Sequence, residues 1–118
     1  MSWTQTRTRW RTLREVSAEI ERRRDGELPW SADLAAVFGT RRELVLALRY
    51  LWMLTLTARV DDATALDGVG AARLAGRRLA EQHAGLRLVL DRHCPELAAH
   101  EKRIVSDFGG YAPAPVWA

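Results

Sequence analysis

Apolar residues follow a helical pattern through the middle of the chain, where residues 40–60 read TRRELVLALRYLWMLTLTARV. Thr40 and Glu43 have the spacing of a capping box at the start of the helix that this segment predicts. Nearly every side of that helix is apolar, so in a chain of 118 residues it has to be surrounded by other helices. The pattern therefore predicts an all-α fold, a single compact bundle of four or five helices around a central apolar helix at about 41–60.

Helical periodicity also appears on both sides of this segment. Ser2 and Gln5 predict the start of a first helix, and Gly26 is placed to cap its C-terminal end. Cys94-Pro95 breaks the last long periodic stretch. The helices predicted besides the central one are at about 3–25, 31–38 (ended by Gly39), 70–93 and 96–108.

The domain organisation follows from the same pattern. Residues 1–108 are expected to form the bundle, with an acidic linker at about 61–70 that begins at Asp61 and Asp62. Residues 109–118 carry two prolines and are expected to form an extended tail. The side chains expected in the core are Trp10, Leu13, Ile20, Phe38, Leu44, Leu48, Leu51, Trp52, Leu79, Leu86, Leu90 and Ile104.

Charge and composition limit the cellular setting. The net charge is +3, and Lys102 is the single lysine among eighteen basic residues. The N-terminal segment has no apolar signal sequence, and the one membrane candidate, residues 44–60, carries Arg49 near its centre. The expected location is the cytoplasm, with no membrane association.

Arginines are concentrated in the first predicted helix and at the start of the central one. Trp3 and Trp10 are interleaved with the first group, a combination that can contact phosphates and stack on bases. The alternative is a solvated helix face whose tryptophans anchor it to the core. The candidate phosphate or nucleic-acid contacts are Arg7, Arg9, Arg11, Arg14, Arg41 and Arg42.

Residues 33–48 have the spacing of a helix-turn-helix DNA-binding motif, with Gly39 at the turn. Beyond Glu43, however, the second helix of this segment is apolar, so only its first turn is suited to contact DNA. Two packed helices joined by a glycine turn explain the same residues.

No residue pattern indicates chemistry. His83, His93 and His100 lack the paired spacing of a metal site, and Cys94 stands alone. The segment from Gly68 to Gly70 lacks the third glycine of a dinucleotide-binding loop. The chain is therefore expected to have no cofactor, no bound metal and no enzymatic activity.

Three segments together, MSWTQTRTRW, LPW and AVFGTRRELVLALRYLW, resemble a group of short uncharacterised helical proteins from high-GC Gram-positive (actinobacterial) bacteria. The resemblance covers about the first sixty residues. It implies a bacterial protein that is not secreted, and it implies no activity and no site residues.

Aromatic side chains outside the predicted core suggest contacts with another protein. Tyr111 and Trp117 lie in the tail, and Trp30 follows Pro29 in a turn. Tryptophan is a preferred residue at the centre of protein interfaces. The sequence thus predicts a small helical interaction or adaptor protein that acts by protein docking and forms a homodimer. The alternative is a nucleic-acid-associated protein that uses the arginine-rich first helix and the 33–48 segment.

Overall fold

The computed structural model describes residues 2–67 and 70–97. These residues form five α-helices and no strand, so the all-α prediction is confirmed. Tail residues 109–118, Ile104 and nearly all of the helix predicted at 96–108 lie outside the described residues. The helices are α1 (Trp3–Arg23), α2 (Ala32–Phe38), α3 (Arg41–Asp67), α4 (Ala71–Gln82) and α5 (Ala84–His93).

The described residues group into two compact units. The first contains residues 2–50 and 84–94, and the second contains residues 51–67, 70–83 and 95–97, so α3 contributes to both. Most of the predicted core is confirmed as buried, but Trp10 and Leu51 are only half-buried. Buried side chains of the first unit are Leu13, Val16, Ile20, Phe38, Leu44, Val45, Leu48, Leu86, Val89, Leu90 and Cys94.

α1 begins as predicted and ends earlier. Ser2 Oγ accepts the backbone N–H of Gln5 at 3.1 Å, and Gln5 Oε1 accepts that of Ser2 at 2.9 Å. The prediction that Gly26 caps the helix is wrong. Arg24 takes the left-handed conformation, with φ 50°, and its N–H donates to the carbonyl of Ile20. A helix ends where one residue turns left-handed, and here an arginine does so two residues before the glycine.

Asp25 stabilises the turn that follows α1. Its Oδ1 accepts the backbone N–H of Glu27 at 2.9 Å, and its Oδ2 lies 3.1 Å from the guanidinium of Arg23. The hydrogen bond from Glu27 and then the charge of Arg23 lower the pKa of Asp25 below its ordinary value. The contribution of the ionised Asp25 side chain to stability is therefore present at neutral pH and is lost as the pH falls through the pKa of Asp25 in the folded state.

The junction between α2 and α3 is as predicted. Gly39 adopts φ 89° after α2, and Thr40 Oγ1 accepts the backbone N–H of Glu43 at 3.1 Å. The predicted end of the central helix at Asp61 and Asp62 is wrong, because α3 continues to Asp67. Both aspartates are exposed, and no glycine or proline follows them until Gly68, so nothing in this segment interrupts the helix.

The prediction of a single helix at 70–93 is wrong, because this segment forms two helices, α4 and α5. His83 leaves helical geometry with φ −119° and ψ 45°, and α5 starts at the next residue. Glu21 of α1 explains where α5 starts: its carboxylate accepts the backbone N–H of Gly85 at 3.0 Å and of Leu86 at 3.1 Å. These N–H groups lie in the first turn of α5, where a helix has no internal acceptor for them.

In the second unit, α3 and α4 are joined at their surface by a hydrogen bond from Arg59 Nη1 to Gln82 Oε1 at 3.3 Å. None of the helices in the described part of the chain is long and apolar enough to span a membrane. Buried side chains of this unit are Trp52, Leu56, Val60, Ala72, Leu79 and Leu97.

Candidate functional site

One face of α1 combines exposed aromatic and basic side chains. Trp3 is 74% exposed, and Arg7, Arg11 and Arg14 are also exposed. Their spacing places them on the same side of the helix as Trp10. Together they line an open groove of about 570 Å³.

A second groove, of about 380 Å³, lies between α1 and the first part of α3 within the first unit. Trp10 and Thr6 line both grooves. The rings of Trp10 and Tyr50 are 6.4 Å apart and tilted by 47°, a separation at which aromatic pairs attract each other. Tyr50 is still 57% exposed, and Leu46 beside it is 38% exposed. We call this combined area the α1–α3 surface; it comprises Trp3, Arg7, Trp10, Arg11, Arg14, Leu46 and Tyr50.

The arginines of the α1–α3 surface form no salt bridge with the described residues. Among the described residues, no carboxylate is within salt-bridge distance of Arg7, Arg11 or Arg14. The arginines at the other end of α1 do have a carboxylate within salt-bridge distance. Their pairs are Arg22 with Glu19, Arg23 with Asp25, and Arg24 with Glu21.

This distribution of charge opposes the stability of α1. The first turn of the helix has no acidic residue, so no negative charge offsets the positive end of the helix dipole. Arg7 and Arg11 are four residues apart, a spacing at which like charges repel by a few tenths of a kcal/mol, whereas Arg11 and Glu15 have the same spacing with opposite charges. The cost to α1 therefore arises mainly in its first turn.

Two further candidate arginines contact aromatic rings. The guanidinium of Arg9 lies 4.9 Å from the centre of the Phe38 ring, and that of Arg41 lies 5.8 Å from the centre of the Trp30 ring. Trp30 is half-buried and is placed apart from the aromatic residues of the two grooves. Both guanidinium groups are thus within cation–π distance of a ring of the fold, and Arg9 also lines the second groove.

The remaining candidate residues are Arg42, Tyr111 and Trp117. Arg42 is exposed on the first turn of α3, while Tyr111 and Trp117 lie outside the described residues. Beyond this first turn, the exposed side of α3 within the first unit carries Leu46 and Tyr50, which are apolar and aromatic. That face is poorly suited to the polar edges of bases in a DNA groove.

Sequence reasoning missed Leu46 and Tyr50. Both belong to the apolar run that was assigned to the interior of the fold, and residues four apart share a face of a helix. Tyr50 follows Arg49 within that run, and a polar-tipped ring next to an arginine was the available signal that this side of α3 reaches solvent.

No metal centre is found in the part of the chain that the structure describes. No group of three or more His, Cys, Asp or Glu side chains there is arranged to hold a metal ion. His83 is half-buried at the junction of α4 and α5, and His93 is exposed, while His100 lies outside the described residues.

Comparison with known proteins gives no relative: no family model, no curated protein and no solved structure matches the chain. The geometry of the α1–α3 surface is therefore the basis for the function proposed below.

Proposed function

We propose that this protein is a small helical interaction protein that docks a protein partner on the α1–α3 surface. The observation that carries the proposal is the exposure of Trp3, Leu46 and Tyr50 around two connected grooves. Exposed aromatic side chains with arginines around them are the residues that contribute most binding energy at protein interfaces. The proposed compartment is the cytoplasm.

Binding of nucleic acid is the competing function. It is favoured by the arginines that form no salt bridge with the described residues and by the exposed ring of Trp3, since arginines contact phosphates and aromatic rings stack on bases. One observation opposes it. Leu46 presents an aliphatic side chain, which offers no stacking surface.

Affinity purification from the native cells tests the proposal with a matched pair of variants. Tyr50→Ala removes an exposed side chain of the α1–α3 surface, whereas Leu88→Ala removes one that is 48% exposed on α5. We expect at least one protein that co-purifies with the wild type and with Leu88→Ala to be lost with Tyr50→Ala. Quantitative mass spectrometry provides the readout.

Nuclease treatment and salt distinguish nucleic-acid binding from protein docking. Contacts with phosphate weaken steeply between ~50 and ~200 mM salt, whereas apolar docking does not. A bound fraction that disappears with nuclease, or that is the same for Tyr50→Ala and Leu88→Ala, would refute protein docking on this surface.

A further inference from the structure

We infer that the segment docked on the α1–α3 surface is an acidic amphipathic helix of another protein. This inference rests on the proposed function and adds the chemistry of the partner. The apolar side of the partner helix contacts Trp10, Leu46 and Tyr50, and its carboxylates pair with Arg7 and the other two arginines of the surface.

Charge complementarity favours an acidic partner. Arg7, Arg11 and Arg14 line one groove with a single carboxylate residue, Glu15, so the lining has an excess of positive charge. Their guanidinium groups are exposed and have no carboxylate partner in the described part of the chain. Carboxylates brought by a partner would satisfy them and would also speed its association.

The spacing of the three arginines favours a helix. They are four and three residues apart on α1, which corresponds to about 6 and 4.5 Å along the helix axis. Carboxylates on one face of a second helix repeat at the same two intervals. Side chains on one face of an extended strand repeat at about 6.6 Å, which fits the first interval and not the second.

A second copy of this chain is a less favourable occupant. In a two-fold symmetric dimer the same surface lies on both sides of the interface. Two linings that each carry three arginines and one glutamate would then lie together, and their excess positive charge opposes association.

A displayed library of helices tests the inference on the full-length protein. The library presents one helical scaffold with randomised surface positions, and binders are selected on the wild type. The affinity of each binder is then measured for the variant Arg7→Glu/Arg11→Glu. The control is Arg77→Glu/Arg78→Glu, which reverses the charge of two exposed arginines of α4. Both Arg7 and Arg11 are exposed and form no salt bridge with the described residues, so the first variant is expected to fold.

We expect the selected helices to combine a face of apolar residues with several Asp or Glu. Their affinity should fall about tenfold or more on Arg7→Glu/Arg11→Glu and stay within about twofold on the control. Arg7→Gln/Arg11→Gln should give an intermediate loss, since it removes the attraction without adding repulsion.

Three results would overturn the inference: no binders, binders without an acidic excess, or equal losses on both charge-reversed variants. If these results occur while the co-purifying protein is still lost with Tyr50→Ala, the proposed docking function survives and only the partner's chemistry is wrong. If the wild type instead binds a labelled oligothymidine and the binding disappears at ~200 mM salt, the proposed docking function and the acidic helical partner are both wrong.

Discussion

Glu21 acts on two helices at once, although it belongs to α1. It contacts Arg24, the residue that follows its own helix, and accepts two backbone N–H groups from the first turn of α5. Capping by a residue 64 positions away in sequence leaves no local pattern. The sequence therefore could not reveal the capping of α5 by Glu21. The local caps could be recognised, because each capping residue lies three residues from the N–H group that it accepts; these residues are Ser2, Ser31 and Thr40.

Replacing Glu21 should destabilise the protein through α5. Glu21→Ala leaves the N–H groups of Gly85 and Leu86 without their acceptor, and loss of such a cap costs about 1–2 kcal/mol. Glu21→Gln should recover part of that loss because it retains an acceptor oxygen. Chemical denaturation followed by circular dichroism measures both. The control Glu27→Ala, which removes an exposed ion pair with Arg92, should stay within about 0.5 kcal/mol.

Gly85 permits the close approach of α1 and α5. A Cβ atom at this position would lie 2.6 Å from the carbonyl oxygen of Ile20 and 2.9 Å from the Cα of Glu21, both of which are backbone atoms. Gly85→Ala should therefore cost about 1–3 kcal/mol through a shift of one helix, despite the higher helix propensity of alanine. Gly70→Ala is the control, since nothing lies within 4 Å of its added Cβ. Equal thermal stabilities of the two variants would contradict this account.

At the scale of elements, the helices could be predicted more securely than where they end. The apolar periodicity identified α1, α2 and most of α3, and Gly39 marked the turn between the last two. The break at His83 could not be predicted, because leucines recur on both sides of it and no proline or glycine stands at that position. It depends on the packing of α5 against α1.

The two faces of α3 should respond differently to the same substitution. Leu48 is fully buried, and Leu46 is 38% exposed. Leu48→Ala is expected to reduce the free energy of unfolding by about 2–5 kcal/mol, and Leu46→Ala by less than about 1 kcal/mol. Urea denaturation of both variants provides the comparison. Similar losses at the two positions would mean that this segment of α3 does not have one buried and one exposed side.

At the scale of the whole molecule, the sequence singled out the α1 residues of the candidate site, although as candidate phosphate or nucleic-acid contacts. The arginines and tryptophans of α1 were recognisable from their number and spacing. Leu46 and Tyr50 were not, because an apolar residue in an apolar helix is expected to be buried until the neighbouring helices are placed. The absence of acidic partners for the arginines required coordinates.

The homodimer remains a prediction of the sequence, and the charge of the α1–α3 surface constrains it. Because two copies of a surface with excess positive charge would lie together across a two-fold axis, we expect any dimer to form elsewhere on the molecule. Light scattering after size exclusion should therefore give the same molar mass for the wild type and for Tyr50→Glu. A dimer that Tyr50→Glu converts to the 13.3 kDa monomer would place the interface on this surface instead.

Site-specific photo-crosslinking in the native cells tests the central claim most directly. A photoreactive amino acid replaces Tyr50 in one strain and Leu88 in another, and adducts are identified by mass spectrometry. The account predicts a defined protein adduct at position 50 and none at position 88. Nucleic-acid adducts at position 50, or the same adducts at both positions, would contradict protein docking on the α1–α3 surface.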